Sequence, residues 1–315
     1  LSAIGQLSSA LSTLNDALDN LNTLSDFRVR SAISSDETFL TATATSEASS
    51  GSFSIVVDTV AQGSRLQSTA GVFTDITDTV GSGTLTLTAG VDTFDVVVSA
   101  ADTLEDIRDA INSATDNFGV NVNIVNGLTG PVLSFSSSIS GDGNTLAITN
   151  DNASLNEIST SLTAVQTANS AVAFVNGIEV NSDSNTFTNA IQDITFTAIK
   201  VTEVGSPIIL DIAIDKTAVK ASITDFVTAV NDFTTLSKSL GQSTADAVGA
   251  LAGDVTLRLL NQQMVTTLQN TVTGLTSNFD SLNTLGITFD EFGTLNIDDD
   301  ALDAVLDTNF WPQAM

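Results

Sequence analysis

The first residues set apolar side chains at alternating spacings of three and four: Ile4, Leu7, Leu11, Leu14, Leu18 and Leu21, with Leu1 and Leu24 extending the row. That spacing is an a/d seam, and a seam of this kind needs a helical partner. It predicts one helix over residues 1–26, with Ser8, Ser9, Ser12, Thr13 and Asn15 on its outer face. Small polar residues are modest helix formers, so packing has to hold the helix. Similar stripes return only after residue 217. Val219, Ile223, Phe226, Val230 and Phe233 form the second stripe, stopped by Gly241. Leu257, Leu260, Met264, Leu268 and Val272 form the third. A short hairpin about Asp290–Gly293 and a last helix with Leu302, Val305 and Leu306 follow. The two ends of the chain are therefore expected to pack together, with Leu14 near Phe226.

Between the ends the period drops to two, the signature of strands. Leu40, Ala42 and Ala44 alternate with Thr41, Thr43 and Thr45, and Phe53, Ile55 and Val57 share a face. Leu85 and Leu87, then Phe94, Val96 and Val98, open a block expected to be βαβ-like. Its helix carries Leu104, Ile107 and Ile111 behind a capping-box-like start at Asp102-Thr103-Leu104-Glu105. Strands near Val120–Val125, Val132–Phe135 and Leu146–Ile148 complete it, so residues 72–150 read as one α+β unit inserted into the domain that contains Phe53. Residues 155–173 have no clear period. Asn176-Gly177 predicts a type I′ hairpin, because both residues accept positive φ. Ile194 and Phe196 mark a further strand, as do Ile208, Leu210, Ile212 and Ile214 behind Pro207. The fold class is α+β and multidomain, with 315 residues enough for two or three cores.

Charge narrows the partners. Thirty-seven acids face 9 bases, a net charge of −28, which repels nucleic acid and anionic lipid. No apolar run approaches the ~18 residues of a membrane span, so no membrane insertion is expected. No basic stretch of a signal peptide opens the chain. Leu1 enters in mid-heptad without a Met, so the chain is expected to be a fragment.

Cys, His and Tyr are absent. That removes the Ser-His-Asp triad, the Cys nucleophile and ordinary zinc or iron sites. Paired carboxylates remain conceivable for glycoside hydrolysis, but the single tryptophan, Trp311, stands near the C-terminus rather than on a platform. The chain is read as non-catalytic, without cofactor or metal. Gly141-Asp142-Gly143-Asn144 is one copy of a calcium-roll-like element without its repeat, and reads as a turn. Asp290-x-Phe292-Gly293 lacks the alternating ligands of an EF-hand, and Asp298-Asp299-Asp300 reads as a helix cap.

Several segments, in colinear order over almost the whole chain, resemble the flagellar filament cap family, flagellar hook-associated protein 2. They are LSAIGQL with its leucine stripe, FRVRSAISSDETFLTATAT at 27–45, GSFSIVVDTVAQGSRLQS at 51–68 and TLEDIRDAIN at 103–112. AFVNGIEVNSDSNTFTNAI at 173–191, LAGDVTLRLL at 251–260 and LGITFDEFGTLNIDD at 285–299 complete the set. The family's N-terminal segment and long C-terminal coil have no counterpart here.

The resemblance implies a non-catalytic cap at the flagellar tip, secreted through the flagellar export channel and extracellular. Its partners would be flagellin, copies of itself in a ring-like homo-oligomer, and hook–filament junction proteins. By the same resemblance the leg is 1–47 with 215–315, the β head is 48–71 with 172–214, and 72–171 is an inserted outer head. Leu7, Leu11, Leu14, Leu18, Val219, Ile223, Phe226 and Val230 would carry leg packing and assembly. An extracellular adhesin and a structural filament or junction protein are the alternatives.

Overall fold

The structure, a computed structural model, describes residues 2–243, 248–272 and 280–307. Leu1 and Trp311 lie outside the described residues. The chain divides into two compact units. One comprises Leu1–Ser31, Thr45–Glu47 and Ala213–Met315, the other Ala32–Ala44 and Ala48–Ile212. Helices are numbered α1 (Ala3–Asp19), α2 (Leu104–Ser113), α3 (Lys216–Gly241), α4 (Val255–Gln269) and α5 (Asp299–Asp307).

The larger unit is built from strands and α2 around two apolar cores. In the first core, the sheet Asp92–Val98, Gly83–Ala89, Ala147–Asn150 faces α2 and the sheet Thr163–Gln166, Arg65–Gln67, Gly130–Ser137, Val120–Gly127. Period-two alternation places Leu85, Leu87, Leu133 and Phe135 in complete burial while the intervening Thr and Ser residues face outward. The pairings are antiparallel, so the expected βαβ-like block is instead a set of hairpins. The link from Asp92–Val98 through α2 to Val120–Gly127 joins two different sheets, which removes any need for a parallel crossover.

The capping box of α2 sits one residue later than expected. Asp102 already accepts from the Ser99 N–H. Thr103 is left as N-cap, exchanging bonds with Asp106 at 3.2 and 2.9 Å.

The second core lies between the five-stranded sheet ordered Arg30–Ser34, Ile208–Ile214, Gly51–Thr59, Ala171–Val175, Ile178–Ser182 and the three-stranded sheet Thr186–Ile191, Ile194–Ala198, Leu40–Ala44. Phe187 and Phe196 stack inside it with centroids 4.6 Å apart. The Asn176-Gly177 hairpin forms with φ of 49° and 82°, as a type I′ turn requires. Thr186–Ile191 is a strand that the sequence pattern does not announce, because Asn189 at φ 61° breaks its alternation with a register shift.

Gly141-Asp142-Gly143-Asn144 is a turn tied to its neighbours: the Asp142 N–H donates to Ser170 Oγ and the Ser140 hydroxyl to the Asp183 carbonyl. A Cβ on Gly141 would come within 2.7 Å of the Asp183 side chain.

The smaller unit holds α1, α3, α4, α5 and the hairpin Ile287–Phe289/Leu295–Ile297. Helix α1 stops at Asp19, short of the expected residue 26. Asp16 and Asp19 place negative charge at the negative end of the helix dipole, and its last turn has no base. The side chains of Asn15 and Asn22 donate to Asp19 at that end. A short 3₁₀ turn, Leu24–Phe27, follows.

Candidate functional site: the helical seam

Within the helical unit, α1 lies against α3, and the expected meeting of Leu14 with Phe226 is seen in one shared core. That core contains Leu14, Ala17, Val219, Ile223, Phe226, Val227, Ala229 and Val230. Leu7 is half-buried. Leu11 and Leu18 are not drawn in: they stay 46% and 44% exposed, and Ile4 72%. The stripe of α1 has therefore split along its length. One row, carrying Leu7, Leu14 and Leu21 with the alanines Ala10 and Ala17 between them, turns toward α3. The other row, Ile4, Leu11 and Leu18, repeats every seven residues on the open side.

Alanines explain the split. A leucine at both positions of a seam holds helices about 10 Å apart, whereas the small Ala17 and Ala229 in the shared core permit a closer approach that only one row can share. The sequence carried that signal as small residues at positions 10 and 17, which a search for leucines alone passes over.

Polar groups then pin the C-terminal elements to α3. Three of the nine bases stand on this helix, and each is spent locally. Lys216 meets Asp307 at 2.5 Å. Lys220 meets Asp303 at 2.8 Å and Asp299 at 2.9 Å. The hydrogen bonds that Lys220 donates to Asp303 and then Asp299 raise its pKa above the usual lysine value. Lys238 donates to the Phe292 carbonyl. Asn231 bonds both backbone groups of Leu295, donating to its carbonyl at 2.9 Å and accepting from its N–H at 2.8 Å. The side chain so completes the edge of a three-residue strand.

Asp298 caps α5 through the Ala301 N–H, as the acidic triplet suggested, while its neighbour Asp299 serves Lys220. Asp290 accepts from Phe292 and Thr294 N–H and closes the hairpin turn. Of the third stripe, Leu257 is buried, Met264 and Leu268 are partly buried against the shared core, Leu260 is exposed, and Val272 lies beyond the helix. Among the described residues no group of three potential metal ligands converges. The chemistry this surface offers is apolar contact.

Known proteins share this arrangement. The family model described as flagellar hook-associated protein 2 N-terminus matches residues 1–64, and the corresponding C-terminus model matches residues 168–311. The flagellin hook IN motif matches residues 84–138. Flagellar hook-associated protein 2 of Aeromonas caviae is 37% identical over 335 residues, covering 98% of this chain and 70% of that protein. The A-type flagellar hook-associated protein 2 of Pseudomonas aeruginosa is 32% identical with the same coverage. The crystal structure of the D1-D2-D3 domains of the flagellar cap protein FliD from Escherichia coli matches with a TM-score of 0.78 at 31% identity, over 97% of this chain and 87% of that one.

Proposed function

From the premise that this chain belongs to the flagellar hook-associated protein 2 family, the flagellar cap proteins, we propose that it assembles as a ring-like homo-oligomer at the tip of the filament, with flagellin as its client. The cap role is non-catalytic and belongs at the extracellular end of the flagellum. Export in this reading runs through the flagellar channel. Hook–filament junction proteins are further partners in this reading.

The observation that carries the proposal is the split seam of α1. Leu14 and Ala17 are consumed within the helical unit, while Ile4, Leu11 and Leu18 form a heptad row with no partner among the described residues of that unit. An apolar row at this spacing is suited to a second helix. Ser8, Ser12 and Asn15 beside it keep the contact weak enough to exchange as subunits are added. Assigned roles follow: residues 1–47 and 215–315 as leg, 48–71 and 172–214 as β head, and 72–171 as outer head. The leg's internal packing falls to Leu7, Leu14, Val219, Ile223, Phe226 and Val230, and its assembly to Leu11 and Leu18.

The test is the pair of substitutions Leu11→Asp and Leu18→Asp in the full-length protein. Both side chains are already half in water, so circular dichroism of the variant should match the parent. Motility should be lost and monomeric flagellin should collect in the medium. Normal swimming with a folded double variant would overturn the proposal.

A further inference from the structure

A cavity of about 600 Å³ opens between the C-terminal end of α3 and the first turns of α4, lined among others by Ser237, Lys238, Asp254, Leu257, Arg258 and Asn261. Three features of its wall are unsatisfied. Ser237 is 1% exposed and its hydroxyl has no hydrogen-bond partner. Three other hydroxyls on α3 are spent on backbone: Ser222 donates to the Ala218 carbonyl, Thr224 to Lys220 and Ser239 to Leu236. Ser237 is the hydroxyl on that helix that is buried without any partner. Across the cavity, Asn261 Oδ1 is likewise buried without a donor. Buried polar atoms of native proteins nearly always have partners, so two orphans lining one cavity point to a group that the cavity receives.

The third feature is a cation. Lys238 is engaged with the Phe292 carbonyl. Asp254 is committed as the N-cap of α4, accepting from the N–H groups of Thr256 and Leu257. Arg258 stands one turn beyond it and makes no ion pair among the described residues. In a chain of 37 acids and 9 bases, a guanidinium beside two unpartnered polar atoms is positioned to meet an incoming carboxylate. Its planar fork suits a carboxylate better than any other protein group.

We propose that this cavity is a docking site for a glutamate or aspartate side chain on a partner polypeptide. Arg258 takes the carboxylate and buried Leu257 supplies an apolar floor for its methylenes. The carbonyl of Asn261 takes a backbone N–H of the partner, and Ser237 completes the shell by rotating its hydroxyl toward the guest. A simple anion does not meet this demand, because Asn261 Oδ1 needs a donor that a carboxylate lacks, and the volume far exceeds one small ion. The inference goes beyond the cap reading and does not depend on it: motility and tip location test that reading alone.

The experiment titrates the full chain at low salt with the capped peptide acetyl-Gly-Glu-Gly-amide, following the side-chain NMR signals of Asn261 and Arg258. Saturable shifts of both are expected, weaker by about tenfold for the Gln peptide and for Arg258→Gln, and by about threefold or more for Ser237→Ala. Arg258 is exposed, so its variant keeps the fold. Equal binding of acetate would reduce the site to a simple anion site, and equal binding of free glutamate to a small-molecule site; either overturns the proposal. So would absence of saturation, or binding that neither substitution weakens.

Discussion

The helical unit and the strand-rich unit use their apolar residues in different ways. In the strand-rich unit, alternation sends one face of each central strand inward, and Leu40, Ile55, Leu85, Leu133 and Phe135 lose all contact with water. In the helical unit the apolar stripes are wider than the surface they bury. Half of the α1 row stays outside, and α4 buries Leu257 while Val255 and Leu259 remain open. A sheet pleat offers two faces and sorts residues sharply, whereas a helix offers a continuous surface on which one neighbour covers only an arc. Both units leave large apolar side chains exposed, Val97 and Val125 among them in the strand-rich unit, but on α1 they fall in a heptad row suited to a second helix.

Truncation of apolar side chains should break that contrast most visibly. Phe135→Ala empties a fully enclosed site and is expected to cost about 3–5 kcal/mol. Leu11→Ala, on the open row of α1, should cost less than about 1 kcal/mol in the monomer. Urea unfolding followed by hydrogen exchange on peptides from each unit measures both. A cost at Leu11 equal to that at Phe135 would mean the exposed row is already covered within one chain.

A smaller effect comes from asparagines that act as substitute strands. Asn112 exchanges two bonds of 2.8 Å with Val122 in the strand-rich unit, and Asn231 does the same for Leu295 in the helical unit. Replacing either with Ala strands one N–H and one carbonyl, at about 1–3 kcal/mol. The two costs should be similar, because this device works by local geometry and is indifferent to the core beside it. Exchange at the Val122 and Leu295 amides reads each clip directly.

Much of this organisation was legible in residue spacing. Leu85, Leu87, Phe94, Val96 and Val98 mark their strands by alternation, and Asn176-Gly177 marks its turn by the φ angles it tolerates. The meeting of Leu14 with Phe226 followed from matching heptads at distant positions. Less legible was how far each stripe is used. Leu11 and Leu14 are the same residue type three apart, and only the small volume of Ala10, Ala17 and Ala229 decides which one turns toward α3. The end of α1 depended on the charges of Asp16 and Asp19 rather than on the leucine row that continues past them. The Asn231 clip and the lysine pairs had no sequence signal beyond the scarcity of bases, because their partners lie tens of residues away.

The mildest test opposes the two units by pH. Carboxylates held below their ordinary range cluster in the strand-rich unit. Asp106 is lowered by the N–H and hydroxyl of Thr103, and Asp78 by the N–H groups of Thr74 and Asp75. The N–H and hydroxyl of Thr77 lower Asp75, and the Thr84 N–H lowers Asp151. A depressed carboxyl contributes stability that is present above its unfolded value of about 4 and is lost as pH falls through the native one. The helical unit has the opposite case in Lys220, whose raised pKa gives a contribution present below about 10.4 and lost as pH rises through the native value. Acid should therefore loosen the Thr103 amide, whose N–H donates to Asp106 at 2.9 Å, while alkali should loosen α5 at the Asp299 and Asp303 contacts. Each group is at the surface, so both shifts should be small and should shrink with added salt. Protection factors across the two pH ranges measure them. Unchanged protection of the Thr103 amide in acid, or of α5 in alkali, would remove the corresponding contribution.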